Sequence, residues 1–175
     1  MTSGRQPPSE RARSIGSREP WLPPRGFVRL AWVVHRGIYR LTAGRRGLWR
    51  ARADKWGTMY LTTTGRHSGK ARSAILGYLD DGPNLVTMAM NGWAEGEPAW
   101  WLNLLTHPDA IVVLQGEPPR HVRARAAVGE ERVRLWARWC DLDDDVDAYS
   151  SRRPTETAVV ILEPAPATAA DPLHG

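Results

Sequence analysis

Cysteine, lysine and long apolar runs are scarce in this chain of 175 residues. A single cysteine, Cys140, excludes an internal disulfide and a zinc site built from cysteines. Because no run reaches about eighteen apolar residues, we expect no segment that spans a bilayer. The N-terminus has no hydrophobic signal core, so we expect a cytoplasmic protein. Lysine occurs twice against twenty-two arginines, which we attribute mainly to genomic base composition.

Cys140 itself is predicted to be a packing residue. It follows Val133, Trp136 and Ala137 at helical spacing, and a buried cysteine usually behaves as a small hydrophobe. We therefore do not expect a catalytic thiol.

The positive charge is concentrated at the start of the chain. Residues 1–55 hold thirteen Arg or Lys against three acidic residues (+10), and the remainder holds eleven against sixteen (−5). A basic arm of this kind predicts an acidic partner, either an anionic membrane or a nucleic acid. We do not expect nucleic acid, because the arginine stripe is confined to one face and the remainder of the chain is acidic.

Composition divides the chain into one domain with a tail at each end. Residues 1–24 are rich in Ser, Arg, Gly and Pro and contain few apolar residues, which predicts a disordered arm. Residues 165–175 form a similar tail rich in Ala and Pro. The region between them, 25–164, is long enough for a single domain with its own core.

Residues 25–44 begin this domain with a predicted amphipathic helix. Apolar residues repeat on one face when successive residues are stepped by about 100°, and arginines line the opposite side. The helix either packs on its own domain with a solvated arginine face, or lies on a membrane with its arginines against lipid phosphate. The apolar positions are Phe27, Leu30, Ala31, Val34, Ile38 and Leu41, and the arginines are Arg25, Arg29, Arg36 and Arg40.

Short β-type segments dominate after residue 57 and are separated by turn residues. Three helices are predicted. The first spans 99–106 and is flanked by Pro98 and Pro108, the second runs from Glu130 to Cys140, and the third is a short stretch that ends at Tyr149. Antiparallel hairpins without a βαβ repeat predict an α+β fold around a small closed or half-closed β-barrel. The predicted strands are 58–64, 73–79, 85–90, 111–115, 121–127 and 157–162.

The segment 61–72, LTTTGRHSGKAR, is the most informative motif. It is typical of a strand ending in a short turn that brings together the cations Arg66, Lys70 and Arg72. Backbone N–H groups combined with guanidinium and ammonium donors suit a phosphate or a polycarboxylate. A polar hairpin turn without a ligand explains the same residues, and both interpretations stay open. The motif order and the following helix of a Walker loop are both missing.

A second group of residues follows the third predicted strand. Asn91, Gly92 and Trp93 end that strand, and Trp100 and Trp101 lie on the next helix. The two helical tryptophans point about 100° apart, so one can face the core and the other a cleft. Core packing explains Trp101, whereas stacking of a flat aromatic ligand competes with packing for Asn91, Gly92 and Trp100.

The two motifs together resemble the deazaflavin-dependent nitroreductase and quinone reductase family of actinobacteria. The resemblance runs from about Phe27 to Pro164 and is carried by TTTGRHSGK, NGW and PAWWLNLL in this order and spacing. It implies a split β-barrel, like that of FMN-binding split barrels, that binds coenzyme F420, a 5-deazaflavin with a phosphate and a polyglutamate tail. The implied reaction is hydride transfer from reduced F420 to a quinone, a nitro compound or a similar acceptor.

The resemblance also implies the cofactor-binding residues. The cationic turn would hold the anionic tail, and the residues near 90 and 100 would contact the ring. His67 stands where relatives often have Lys or Arg, which reduces the positive charge near neutral pH, and some relatives carry Lys at Asn91. The implied residues are Thr64, Gly65, Arg66, His67, Ser68, Gly69, Lys70, Arg72, Ser73, Ala74, Ile75, Leu76, Met88, Ala89, Met90, Asn91, Gly92, Ala99, Trp100, Trp101 and Asn103.

Tyr149 is the implied catalytic contact with the acceptor, because it matches one of several tyrosines that shape the substrate pocket of relatives. Asp143 and Val146 stand where relatives carry Tyr, so a different pocket with weaker activity on bulky nitro compounds is expected. A half-buried helix tyrosine without a catalytic role is the alternative interpretation of Tyr149. No metal site is expected.

Two other functions fit the same residues. One is an FMN- or haem-binding split-barrel protein, and the other is a non-catalytic F420 carrier at the membrane surface. The resemblance favours the oxidoreductase.

Overall fold

The computed structural model describes residues 48–91 and 96–166. The predicted N-terminal arm, the predicted helix at 25–44, Gly92, Trp93 and most of the predicted C-terminal tail lie outside these residues. No helix in the two described ranges is both long and apolar enough to cross a membrane. The elements are β1 (Gly57–Thr64), β2 (Ala71–Asp81), β3 (Asn84–Met88), α1 (Ala99–Thr106), β4 (Asp109–Val113), β5 (Arg120–Ala126), α2 (Gly129–Cys140), α3 (Val146–Ser150) and β6 (Val159–Pro164).

The six strands pair antiparallel and close into a barrel in the order β1-β2-β3-β6-β5-β4. β1 and β2 form the longest hairpin, in which Gly57 pairs with Tyr78 and Thr64 pairs with Ala71. β4 pairs with the other side of β1 and closes the barrel. Closure removes the free strand edges that would otherwise pair with another chain. The predicted small antiparallel barrel is therefore confirmed.

The buried side chains form two clusters, one inside the barrel and one outside it. Inside, Met59 and Val112 belong to the same cluster as Trp101 of α1, which lies across one end of the barrel. Successive side chains of a strand alternate between faces, so Leu85 of β3 enters the inner cluster and Val86 enters the outer one. The outer cluster is covered by α2 and α3 and also contains Leu79, Met88, Ala127, Leu135, Trp139, Val146, Val159 and Ile161.

The element types agree with the prediction, and several boundaries differ. α1 spans 99–106 as predicted, because prolines flank it on both sides. β2 extends beyond the predicted 73–79 at both ends, where it keeps pairing with β1 and β3. β3 ends at Met88 instead of residue 90, because the Met90 N–H turns back to the Met88 carbonyl. β4 begins two residues before the predicted start and β6 two residues after it.

Arginine–carboxylate pairs fasten α2 to the barrel. Arg134 contacts Asp81 at 2.8 Å, and Arg125 contacts Glu131 at 2.6 Å and Glu163 at 2.7 Å. A guanidinium hydrogen bond favours the ionised carboxylate, so Arg134 lowers the pKa of Asp81 and Arg125 lowers the pKa of Glu131. The arginines around α2 are thus matched by acidic partners.

Candidate cofactor site

The turn between β1 and β2 is closed by its own backbone. The Gly65 N–H donates to the Lys70 carbonyl at 2.9 Å, and the N–H groups of Ser68 and Gly69 donate to the Gly65 carbonyl at 3.2 and 2.8 Å. Gly69 has a φ of 64°, a left-handed conformation that glycine adopts without strain. The turn is therefore compact, and it leaves His67, Ser68, Gly69 and Lys70 exposed.

Gly65 occupies a position with little room for a side chain. A Cβ atom there would lie 3.0 Å from the Lys70 carbonyl oxygen, 3.0 Å from the Ser68 hydroxyl and 3.3 Å from Cγ of Arg72. A larger residue would require these groups to move by a few tenths of an ångström, so glycine suits the compact shape of the turn.

Arg66, Lys70 and Arg72 place three cations on this turn, and none of them has an acidic partner among the described residues. Arg66 is half-buried, whereas Lys70 and Arg72 are exposed. The ion pairs formed within 48–91 and 96–166 involve none of the three. Cations of this kind beside a glycine turn suit an anionic ligand such as a phosphate or a carboxylate.

The side chain of Asn103 joins the turn to α1. Its Oδ1 accepts hydrogen bonds from the Arg66 backbone N–H at 3.1 Å and from Arg66 Nη1 at 3.4 Å. Its Nδ2 donates to the Thr63 hydroxyl at 3.1 Å, and that hydroxyl donates to the Arg72 carbonyl at 3.2 Å. Asn103 and Thr63 are only 5% and 2% exposed. The structure thus brings the two sequence motifs together through one buried amide.

The tryptophans of α1 both lie in the inner cluster. Trp100 and Trp101 are 8% and 6% exposed, and their ring centroids lie 6.3 Å apart with the planes tilted by 59°. The sequence leaves open whether Trp100 packs in the core or faces a cleft, and the structure buries both rings in the inner cluster. Ala99 is exposed at the start of the same helix.

The residues predicted to contact the ring from β3 differ in exposure. Met88 and Ala89 are buried at 2% and 0%, Met90 is half-buried, and Asn91 is exposed. The Ala89 N–H donates to the Ala158 carbonyl at 2.8 Å, which continues the contact with β6 by one residue. A ligand can therefore reach the Met90 and Asn91 end of this segment more easily than the side chains of Met88 and Ala89.

The predicted residues of β2 lie beside the turn. Ser73 and Ala74 are half-buried and pair with Thr62 and Leu61 of β1, and the Ser73 and Thr62 hydroxyls lie 3.1 Å apart. Thr64 is half-buried at the end of β1, whereas Ile75 and Leu76 are buried. The start of β2 therefore forms a polar surface next to the cationic turn.

Sequence reasoning missed Arg153. Its side chain is 0% exposed, and its guanidinium donates to the carbonyls of Ala89 and Gly96, to the Thr157 hydroxyl and to Glu97. The sequence offers only a pair of arginines before Pro154, with no periodicity that separates a buried arginine from an exposed one. The contact became visible only in the fold.

Tyr149 lies half-buried on α3. Its hydroxyl is 3.5 Å from Oδ2 of Asp145, and burial, followed by the charge of Asp145, raises its pKa. The tyrosine is therefore protonated near neutral pH and can donate a hydrogen bond.

Cys140 ends α2 against the outer cluster. Burial raises the pKa of its thiol to about 11, so the thiolate that a nucleophile requires is scarce near neutral pH.

Comparison with known proteins assigns the family. The model of the family described as F420H(2)-dependent quinone reductase matches residues 33–164. The chain belongs to this family. A relative from Mycobacterium tuberculosis with the same activity in its name is 36% identical over 107 residues, which are 61% of this chain and 89% of the relative.

Solved structures share this fold. A solved F420-H2 dependent reductase is 26% identical, covers 61% of this chain and 93% of its own, and has a TM-score of 0.55. A second structure, described as a domain-swapped dimer, is 24% identical, covers 77% of this chain and 99% of its own, and has a TM-score of 0.56. The fold is a split β-barrel, and the protein is an oxidoreductase that uses coenzyme F420.

The chemistry of the turn fits this cofactor of the F420H(2)-dependent quinone reductase family. The tail of F420 carries a phosphate and several carboxylates, and the turn offers Arg66, Lys70 and Arg72 beside a glycine with little room for a side chain. Guanidinium groups form strong charge-assisted hydrogen bonds with such groups. Asn103 holds this turn against α1, the helix that carries Trp100 and Trp101.

Two cavities of this family member lie away from the turn, at the barrel end where β1 begins and β2 ends. Their volumes are about 420 and 440 Å³. Ala51 and Arg52 line both, and no residue predicted to bind the cofactor lines either. The chain that lines them continues directly from residues 1–47, which are not described, so we assign these cavities no role.

We predict that Asn103→Ala destabilises the fold. The substitution leaves the Arg66 backbone N–H without its acceptor and removes the Asn103 donor from the buried Thr63 hydroxyl, and loss of a buried hydrogen-bond partner costs about 1–3 kcal/mol. Urea denaturation compares this variant with Thr106→Ala on the same helix, an exposed residue whose hydroxyl donates to the Leu102 carbonyl. Equal stability of the two variants would contradict the proposed junction.

Proposed function

We propose that this family member holds reduced F420 between the β1–β2 turn and α1 and passes its hydride to a quinone. F420, when bound, supplies the hydride. The contact of Asn103 with Arg66 carries the proposal, because it joins the cationic turn to the helix that bears Trp100 and Trp101. The chain itself binds and orients the cofactor, using Arg66, Lys70 and Arg72 for the tail.

The family name and the name of the mycobacterial relative both support a quinone as the acceptor. A nitro compound is the second candidate acceptor in this proposal, on the strength of the sequence resemblance alone. Both acceptors gain negative charge as the hydride arrives, so each needs a hydrogen-bond donor near its oxygen atoms.

We predict that the full-length protein binds F420 in the micromolar range or tighter and that Arg66→Ala weakens this binding about tenfold. The variant loses one charge-assisted hydrogen bond to the tail. Titration of the intrinsic fluorescence of the deazaflavin gives both dissociation constants. The difference between the variant and the wild type should shrink as salt is added, since salt screens exposed charges.

Arg52→Ala is the matched control for this titration, because Arg52 is an exposed arginine at the opposite end of the barrel. It should bind F420 as the wild type does. A fluorescence signal that wild-type protein leaves unchanged at any concentration would overturn the proposed cofactor site. FMN and haem, added in parallel and followed by absorbance, test the two other cofactors of split barrels.

Tyr149 is the proposed contact of this chain with the acceptor. Its phenol is protonated near neutral pH, because burial and the nearby Asp145 raise its pKa, and its O–H would donate to the acceptor oxygen in place of Asp145. Arg153 follows α3 in the chain and donates to the Ala89 carbonyl directly after β3. It therefore connects the helix that carries Tyr149 with the segment proposed to contact the cofactor ring.

We predict that Tyr149→Phe lowers kcat for quinone reduction about tenfold while the Kd for F420 stays unchanged. The lost donor would act on the developing charge of the acceptor, and such donors contribute at least this much. Stopped-flow oxidation of reduced F420 by a quinone and by a nitroaromatic compound measures the effect. Tyr60→Phe on β1 is the control, and an unchanged kcat for Tyr149→Phe would remove this role.

We also propose that the protein works in the cytoplasm at the inner face of the plasma membrane. The charge of +10 over residues 1–55 and the predicted arginine stripe support this location, because anionic lipid headgroups attract basic segments. A site near the bilayer would also give access to lipid-soluble quinones.

Flotation with liposomes tests this location. We predict that the full chain floats with vesicles that contain phosphatidylglycerol, and that it does not float with phosphatidylcholine vesicles. Replacement of Arg25, Arg29, Arg36 and Arg40 by Gln should abolish flotation without changing F420 binding. A full chain that stays unbound to anionic vesicles at low salt would refute the membrane proposal.

A further inference from the structure

Arg153 carries a charge in a place with no access to water. Its side chain is 0% exposed, and it lies in the segment between α3 and β6. Nη1 donates to the Ala89 carbonyl and to the Thr157 hydroxyl, each at 2.8 Å. Nη2 donates to the Gly96 carbonyl at 3.1 Å and to Oε1 of Glu97 at 3.2 Å. The two terminal nitrogens thus contact three separate segments of the chain.

Stability alone does not account for these contacts, because they require a charged group to lose its hydration. Burial of a guanidinium carries a large desolvation cost, and a buried ion pair often contributes no more than apolar packing of similar volume. Arg153 Nε and Glu97 Oε2 are also buried without a hydrogen-bond partner among the described residues. A role that needs a planar group with fixed donor directions accounts for arginine at this position better than stability does.

The segments that Arg153 joins are those that border the proposed ring site. Ala89 directly follows β3 and belongs to the predicted ring-binding segment, and Gly96 and Glu97 lead into α1. The Arg153 backbone N–H donates to the Ser150 carbonyl at the end of α3, the helix that carries Tyr149. One guanidinium therefore links the end of β3, the start of α1 and the end of α3.

We propose that Arg153 is a positioning residue that sets the spacing between the cofactor ring and the acceptor. It acts through Ala89 and Glu97 and touches neither ligand. The inference rests on the proposed function, since it assigns the ring to the β3 and α1 side and the acceptor to Tyr149. Lysine is not equivalent, because the two guanidinium nitrogens donate from fixed, separate positions to the carbonyls of Ala89 and Gly96, whereas lysine has a single ammonium nitrogen.

The test uses two ligands that separate the ring from the tail. One is F420, and the other is a deazaflavin nucleoside that lacks the phosphate and the glutamates. Arg153→Met should raise the Kd of both ligands by the same factor, about tenfold, as is usual when a supporting contact behind a ligand shell is lost. Arg66→Ala, in contrast, should raise only the Kd of the tailed ligand.

Turnover separates positioning from a general loss of structure. At saturating F420, Arg153→Lys should lower kcat about tenfold or more, because small misplacements of reacting groups have large effects on rate. Arg125→Met is the matched control, since it removes hydrogen bonds to Glu131 and Glu163 on the α2 side of the barrel. It should lower the melting temperature and leave both dissociation constants and kcat unchanged.

The outcomes distinguish this inference from the proposed function. Wild-type protein that binds neither ligand would overturn both. Wild-type binding together with folded Arg153→Lys and Arg153→Met variants of normal affinity and kcat would overturn the inference alone. Circular dichroism establishes which variants fold, and Arg153→Lys keeps the test decisive if the methionine variant does not.

Discussion

The hydrogen bonds of the buried Asn103 side chain hold the cationic turn against α1, the helix that lies across one end of the barrel. Asn103 receives two hydrogen bonds from Arg66 and donates one to Thr63. Without this junction, the turn could be explained as a polar hairpin loop and α1 as a helix that packs on the barrel end, with no connection between them. A buried polar group is stable only when its partners are present, so the position of the turn and that of the helix depend on each other.

The charges around the barrel divide into two groups with different consequences. Arginines near α2, such as Arg134 and Arg125, face carboxylates whose pKa they lower, and they serve to hold the helix. Arg66, Lys70 and Arg72 have no acidic neighbour in the part of the chain that the structure describes. Like charges kept together in this way repel one another, which an anionic ligand relieves.

The sequence predicts those features of the fold that depend on local signals. The prolines around α1 and the glycines of the β1–β2 turn mark boundaries that depend on backbone geometry, and both are where they are expected. The burial of Trp100 and the contacts of Arg153 depend on how distant segments meet, which no local pattern encodes. Strand ends such as Met88 are predicted only approximately. The apolar pattern favours pairing up to residue 90, but a backbone turn ends it at Met88.

The position of α1 is determined from two sides by different kinds of polar contact. Arg153 holds the residues that lead into the helix, through Gly96 and Glu97, and Asn103 fixes its middle against the turn. Between these contacts, Trp100 and Trp101 fill the barrel end. Apolar packing alone tolerates rotation and small shifts of a helix, whereas hydrogen bonds at two points do not. The proposed hydride transfer requires α1 to be fixed in this way, because the rate of the transfer depends on distances smaller than the shifts that apolar packing allows.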